Sequence, residues 1–158
     1  MKLYLLRHAK TDPHSSTGKD FDRSLLPRGK RQSLLMAEHF TNENISTEKI
    51  LCSTAKRTKE TFHYISDSCR EIPVEFLDEL YLCDAATYLH YISKETMVKN
   101  LLIIGHNDGI SSLASYLTEE YVHLKTCELV VLDFHVDEWA ALSAGTATIA
   151  HRYRPETN

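Results

Sequence analysis

The chain lacks most of the short signatures that tie an enzyme to a metal or an organic cofactor. Its four cysteines, Cys52, Cys69, Cys83 and Cys127, form no C-x-x-C pair and no zinc spacing, so free thiols in a reducing compartment are expected. Neither H-x-x-x-H nor H-E-x-x-H occurs, which leaves a zinc or iron site without support. There is no G-x-x-x-x-G-K-S/T and no G-x-G-x-x-G, which argues against a nucleoside triphosphatase or a dinucleotide enzyme. No stretch approaches the ~20 apolar residues that span a bilayer. The first residues read as a strand and not as a basic region with an apolar signal core, so a cytoplasmic location is expected. No Lys/Arg run forms a stripe and the net charge is -4, so neither nucleic acid nor membrane is an expected partner. Internal repeats and low-complexity segments are missing too.

What is present is an ordinary globular composition, 42% apolar and 25% charged, at a length that suits one domain over residues 1–158. It opens with Lys2-Leu3-Tyr4-Leu5-Leu6, a short strand-like run that breaks into Arg7-His8-Ala9-Lys10-Thr11. α/β proteins carry reactive groups where strands end, at the carboxyl edge of the sheet. A guanidinium disfavours protonation of a neighbouring imidazole. Arg7-His8 therefore reads as a neutral, nucleophilic histidine beside a fork for an oxyanion, with a surface Arg-His pair as the plain alternative.

Three later segments weigh against that alternative. Ile50-Leu51-Cys52 is a short strand, and Ser53 or Thr54 caps a helix running to about Ser68. Arg57 falls in the first turn of that helix, where a cation opposes the helix dipole, so an anion is expected nearby. Asn100 to Gly105 is a continuous apolar strand of the kind buried on both faces. Gly105 lets the chain turn, His106 projects into the edge crevice, and Asn107-Asp108 cap a helix over Gly109 to Leu117. Between these lies Phe76-Leu77-Asp78-Glu79-Leu80-Tyr81, an acidic pair in a loop after the strand Val74-Glu75-Phe76.

The remaining segments read as scaffold. Asp12 to Asp22, with Pro13 and Gly18, is a loop over the carboxyl end of the first strand, and its His14 is read as solvated. Thr11 either donates its hydroxyl to a phosphate oxygen or caps that loop. Ser24 to Phe40 is a helix with Pro27 in its first turn, an apolar stripe at Leu34, Leu35, Met36 and Ala37, and Arg23 and Arg28 as solvated charges. Asp84 precedes a helix over Ala85 to Ile92 and suits its N-cap. Leu124 to Phe134 is a strand that pairs as a hairpin with Trp139-Ala140-Ala141-Leu142; Thr146 to Ile149 adds an edge strand, and His151 to Asn158 reads as frayed.

On Leu5-Leu6-Arg7-His8-Ala9-Lys10, Ser53 to Thr61, Leu80-Tyr81 and Gly105-His106-Asn107, the sequence resembles the histidine phosphatase superfamily, which is phosphoglycerate mutase-like, and most of all its short SixA-type phosphohistidine phosphatases. The likeness runs from Leu3 to about Gly145. Ala9 departs from it, standing where the wider family usually has glycine, and Ser53-Thr54-Ala55 replaces a commoner serine-proline start.

The resemblance implies a three-layer α/β/α sandwich with a mostly parallel sheet and an antiparallel edge strand. It implies a phosphatase in which His8 becomes phosphohistidine while Arg7, Arg57 and a protonated His106 grip the phosphoryl oxygens, needing no metal and no cofactor. Glu79 is the best match to the family's proton donor, with Asp78 and Asp84 as rivals. The short loops suit a phosphohistidine presented on a protein. A general phosphomonoesterase, a sugar-phosphate phosphatase or mutase, or a non-catalytic phospho-ligand module are the other readings.

Overall fold

Alternation along the central strands decides the layering, because successive side chains of a strand point to opposite faces. In the computed structural model, which describes residues 1–156, the strands are β1 (Lys2–Arg7), β2 (Lys49–Ser53), β3 (Val74–Leu77), β4 (Asn100–Gly105), β5 (Leu129–Phe134) and β6 (Ala147–Tyr153). Leu3 and Leu5 of β1 join Leu101 and Ile103 of β4 in one buried cluster; Tyr4 and Leu6 join Leu102 and Ile104 in the other. Both faces of the sheet are thus apolar, and each must be covered by helices.

Helices α1 (Pro27–Asn42) and α2 (Lys56–Ile65) supply the cover on the Tyr4 face through Met36, Phe40 and Ile65. On the Leu3 face, α3 (Ala85–Ser93) and α4 (Gly109–Thr118) bring Tyr88, Ile92, Ile110, Leu113 and Leu117. Full burial of one such side chain is worth roughly 1.5–3 kcal/mol. The result is the three-layer sandwich with strand order β3-β2-β4-β1-β5-β6. β3, β2, β4 and β1 are parallel, and the antiparallel pairs β1–β5 and β5–β6 lie at one side. β5 is the reversed strand, and β6 covers it as the edge.

Several local expectations shift. Pro27 does open α1, but the buried stripe is Gly29, Gln32, Ser33, Met36 and Phe40, while Leu34 is half exposed. The small residues are required by close approach: a Cβ on Gly29 would stand 2.0 Å from the carbonyl oxygen of Lys10, in the loop just after His8. Trp139–Ala141 is a single 3-10 turn and not the partner of β5. Its indole reaches back to donate to the Val98 carbonyl at 2.7 Å, which fixes it as a plug at the end of the sheet. The partner of β5 is Ala147–Tyr153, so His151 to Tyr153 are paired strand and not frayed; Thr157 and Asn158 lie outside the described residues. All four cysteines are free thiols. Among the described residues no helix is long and apolar enough to cross a membrane.

β2, β4 and β1 are adjacent and parallel, so their carboxyl ends open on the same rim, with Arg7 in register with Gly105. Everything the sequence singled out after those three strands is delivered there.

Candidate active site

His8 begins the loop after β1 and is pinned on both sides by backbone. Its N–H donates to the Gly105 carbonyl at 3.1 Å, and its carbonyl accepts from Cys127 N–H at 3.0 Å. The next N–H, of Ala9, donates to the Thr61 hydroxyl at 3.0 Å. The ring itself is buried, with Nδ1 2.9 Å from the Ala9 carbonyl oxygen. A carbonyl only accepts, so Nδ1 carries the proton and the Nε2 lone pair is left free. Burial pushes the His8 pKa well below that of a free histidine; the Ala9 bond opposes this, and His106, Arg57 and Arg7 add to it. The direction of this shift agrees with the neutral histidine expected from Arg7-His8.

Arg57, near the start of α2, is only 2% exposed. Nη1 donates to the Asp20 carbonyl at 2.9 Å and Nη2 to the Asp20 carboxylate at 3.0 Å. Arg7 is anchored through Nη1 to the Leu124 carbonyl at 3.0 Å. His106 follows β4, its ring 5.3 Å from that of His8 and edge-on to Tyr81. Its Nε2 lies 2.8 Å from the Ser53 hydroxyl. Ser53 also accepts from the Ala55 N–H at 3.3 Å, and with the Ser53 hydrogen turned toward Nε2 the proton of a neutral His106 lies on Nδ1.

The surroundings of His106 favour the neutral ring, where the resemblance implied a protonated one. Burial and the Arg57 charge, with Arg7 adding to them against Asp20, push its pKa down to about 3. Ser53 also has a different task from the one expected: it orients His106, and α2 has no side-chain cap.

These groups share one cavity of about 380 Å³, lined by Arg7, His8, Thr11, Arg57 and His106 together with Lys10, Asp20, Arg23 and Asn107. A larger groove, about 540 Å³, runs past Lys30, Lys59 and His63 but holds none of the predicted residues. Arg7 Nε, Arg57 Nε and His106 Nδ1 are buried without a hydrogen-bond partner, an unusual concentration of unmatched donors around one cavity. Two guanidinia and such donors favour an anion.

Glu79 is not brought to this cavity. It is exposed on the 3-10 turn Asp78–Leu80, and its carboxylate acts on Tyr91, whose phenol it helps to raise. Tyr91 lies on α3, so the partner of Glu79 is that helix and not the cavity. Asp78 is taken by the Thr54 hydroxyl, and Asp84 caps α3 through the Thr87 N–H at 2.8 Å. The carboxylate that does line the cavity is Asp20, in the 3-10 turn Asp20–Asp22 of the loop over β1.

Asp20 was hidden because nothing periodic marks that loop; the only signal was the loop's position after β1. Its Oδ2 accepts from Tyr81 Oη at 2.6 Å as well as from Arg57, and its Oδ1 accepts from Arg23 Nη1 at 2.8 Å. Burial alone would raise this carboxyl, but Tyr81, Arg23 and Arg57 outweigh it and hold it well below the usual carboxylate range. Arg23, read as a solvated charge, instead precedes α1 and ties the loop together. It donates to the Asp12 carbonyl and, at 2.6 Å, to the Thr11 hydroxyl. Thr11 keeps its own hydroxyl hydrogen for the cavity. His14 stands outside it.

The sequence and the fold have counterparts among known proteins. The family model of the histidine phosphatase superfamily (branch 1) matches residues 3–88. An uncharacterized protein of Mycobacterium leprae is 36% identical over 117 residues, 72% of this chain and 71% of that one. The phosphohistidine phosphatase SixA of Escherichia coli is 29% identical over 126 residues, 76% of this chain and 73% of its own. A structure of the protein histidine phosphatase SixA complexed with tungstate superposes with a TM-score of 0.82 at 23% identity, covering 98% of this chain and 97% of that one.

Proposed function

The chain belongs to the histidine phosphatase superfamily and has phosphatase activity, and from that premise we propose that it hydrolyses phosphohistidine on a protein through a phosphohistidine of its own. The observation that carries the reading is His8. It is buried, neutral, and fixed by Ala9 so that the Nε2 lone pair is free, and it shares one cavity with Arg7, Arg57 and His106.

In this reading Nε2 attacks phosphorus as the bond to the leaving atom breaks. Arg7, Arg57 and the Nδ1–H of neutral His106 hold the equatorial oxygens, and Thr11 adds a hydroxyl donor. Each preorganised donor of this kind is worth roughly 3 kcal/mol or more of barrier. Water then attacks phosphorus as the Nε2–P bond breaks and its electron pair returns to Nε2, releasing phosphate and restoring His8. No metal takes part in the steps, since the guanidinia supply the charge that spreading negative density requires.

Three points favour a phosphohistidine protein over a small ester. The curated SixA relative is a phosphohistidine phosphatase, and the superposed SixA structure holds tungstate, a tetrahedral oxyanion. Asp20, which lines the cavity, has a side chain that is 42% exposed, so the cavity reaches the surface there and a phosphorylated protein can approach. Turnover of a phosphohistidine-bearing phosphotransfer protein and of an aryl phosphate under the same conditions tests the preference. The protein substrate should react at least tenfold faster in kcat/KM; equal rates would favour a general phosphomonoesterase.

A further inference from the structure

Asp20 holds a place that a substrate would contest. Its backbone carbonyl and carboxylate together occupy both terminal nitrogens of Arg57, at 2.9 and 3.0 Å, the bidentate pattern in which a phosphoryl group would bind the same fork. Oδ2 also accepts from Tyr81 at 2.6 Å, and Oδ1 from Arg23 at 2.8 Å. The carboxylate is thus the counter-ion of a buried guanidinium, which would otherwise stand uncompensated. Yet the segment that carries it is lightly held: none of Asp20, Phe21 and Asp22 is buried.

Resting on the phosphatase reading above, we propose that Asp20 is the residue that gives a proton to the leaving group, freed from its arginine clamp when the phosphoryl group arrives. The carboxylates the sequence offered for this task are engaged elsewhere, Glu79 with Tyr91, Asp78 with Thr54 and Asp84 with Thr87. Asp20 is the carboxylate beside His8 in the cavity.

The exchange supplies the protonation state. In the empty site Arg57, Arg23 and Tyr81 keep Asp20 ionised. A phosphoryl group that takes the Arg57 fork removes part of that support and places like charge beside the carboxylate, and both effects raise its pKa. A phosphate monoester near its second pKa of about 6 also brings a proton with it. As the Nε2–P bond forms and the bond from phosphorus to the leaving atom breaks, the electron pair stays on the leaving atom and takes the proton of Asp20. In the second half the Asp20 carboxylate accepts a proton from the attacking water, the Nε2–P bond breaks, and its pair returns to Nε2.

Leaving-group dependence separates this role from a structural one. A poor leaving group such as phenol, with a pKa of about 10 like tyrosine's, needs the proton; p-nitrophenol leaves without it. Asp20→Asn should lose roughly 100-fold or more in kcat/KM, which reports the phosphorylation half alone, on phenyl phosphate, the scale of a general acid, and less than about tenfold in kcat/KM on p-nitrophenyl phosphate. Orthovanadate should bind the variant as tightly as wild type or more tightly, because the competing negative charge is gone. Asp20→Glu should recover part of the phenyl phosphate rate. Equal losses on the two esters, no loss on phenyl phosphate, or a site that no longer binds vanadate would each overturn the assignment. Wild-type protein that turns over neither ester, nor a phosphohistidine protein, would overturn the phosphatase reading itself, and this proposal with it.

Discussion

The Nδ1 of His8 lies 2.9 Å from the Ala9 carbonyl oxygen, so the adjacent residue holds the ring proton and leaves the lone pair on Nε2. Ala9 is fully buried, and its N–H is held by Thr61 on α2, which anchors the residue beside the ring. A methyl side chain at position 9, where the wider family usually has glycine, is accommodated in this arrangement.

Two buried neutral histidines make stability depend on pH. His8 and His106 both have folded pKa values below the ordinary one, that of His106 at about 3. The unfolded chain takes up protons near pH 6.5 while the folded chain does not, so stability rises with pH in this window and is lost as pH falls below it. Each histidine contributes about 1.4 kcal/mol per pH unit there. The Asp20 pKa is lowered on folding as well, so it acts in the same sense, but only below about pH 4, where its clamp would be lost. Urea denaturation at pH 7, 6 and 5 should show a steep decline for wild type and a slope shallower by about 1.4 kcal/mol per unit for His106→Gln. An unchanged slope in the variant would mean that His106 titrates normally.

Ser53→Ala removes the hydroxyl that orients His106. One hydrogen bond is worth about 0.5–1.5 kcal/mol net, so kcat/KM on an aryl phosphate should fall by roughly two- to tenfold. Ser53→Thr, which keeps the hydroxyl, should retain more of the rate than the alanine variant. A rate in Ser53→Ala equal to wild type would show that His106 needs no such partner.

The core was legible where one force decides it. β1 and β4 appear as continuous apolar runs because both their faces are covered, and β4 begins and ends where the sequence placed it. Arg7, His8, Arg57 and His106 could be named because each follows a strand of the parallel set, and parallel strands end on one rim. Tertiary contacts hid the rest. The stripe of α1 was misplaced because Gly29 and Gln32, neither apolar by pattern, face the protein where the Lys10 backbone comes close. The Trp139 turn looked like a strand because an indole and a leucine carry strand propensity, although the Val98 carbonyl holds it in a 3-10 turn. Asp20 and Arg23 acquire meaning only from partners 37 and 12 residues away, Arg57 and Thr11, and no local spacing records that.

Gly29→Ala tests the packing of α1 on the loop that carries His8. The added methyl would meet the Lys10 carbonyl oxygen at 2.0 Å, and backbone on both sides must move to relieve it. Overpacking of this kind costs about 1–3 kcal/mol, where alanine in an open helix position would instead gain stability over glycine. A fall in the urea midpoint together with reduced turnover is expected; a rise in the midpoint would show that α1 and the loop are not in contact.

The most direct measurement is to mix the protein with a radiolabelled phosphorylated substrate, quench within the first turnovers, and look for phosphoryl bound to the chain. Wild type should carry a label that is labile to acid and stable to alkali, as a phosphorylated histidine is, and His8→Ala should carry none. Turnover without any such label on wild type, or a label that persists in His8→Ala, would contradict nucleophilic attack by His8.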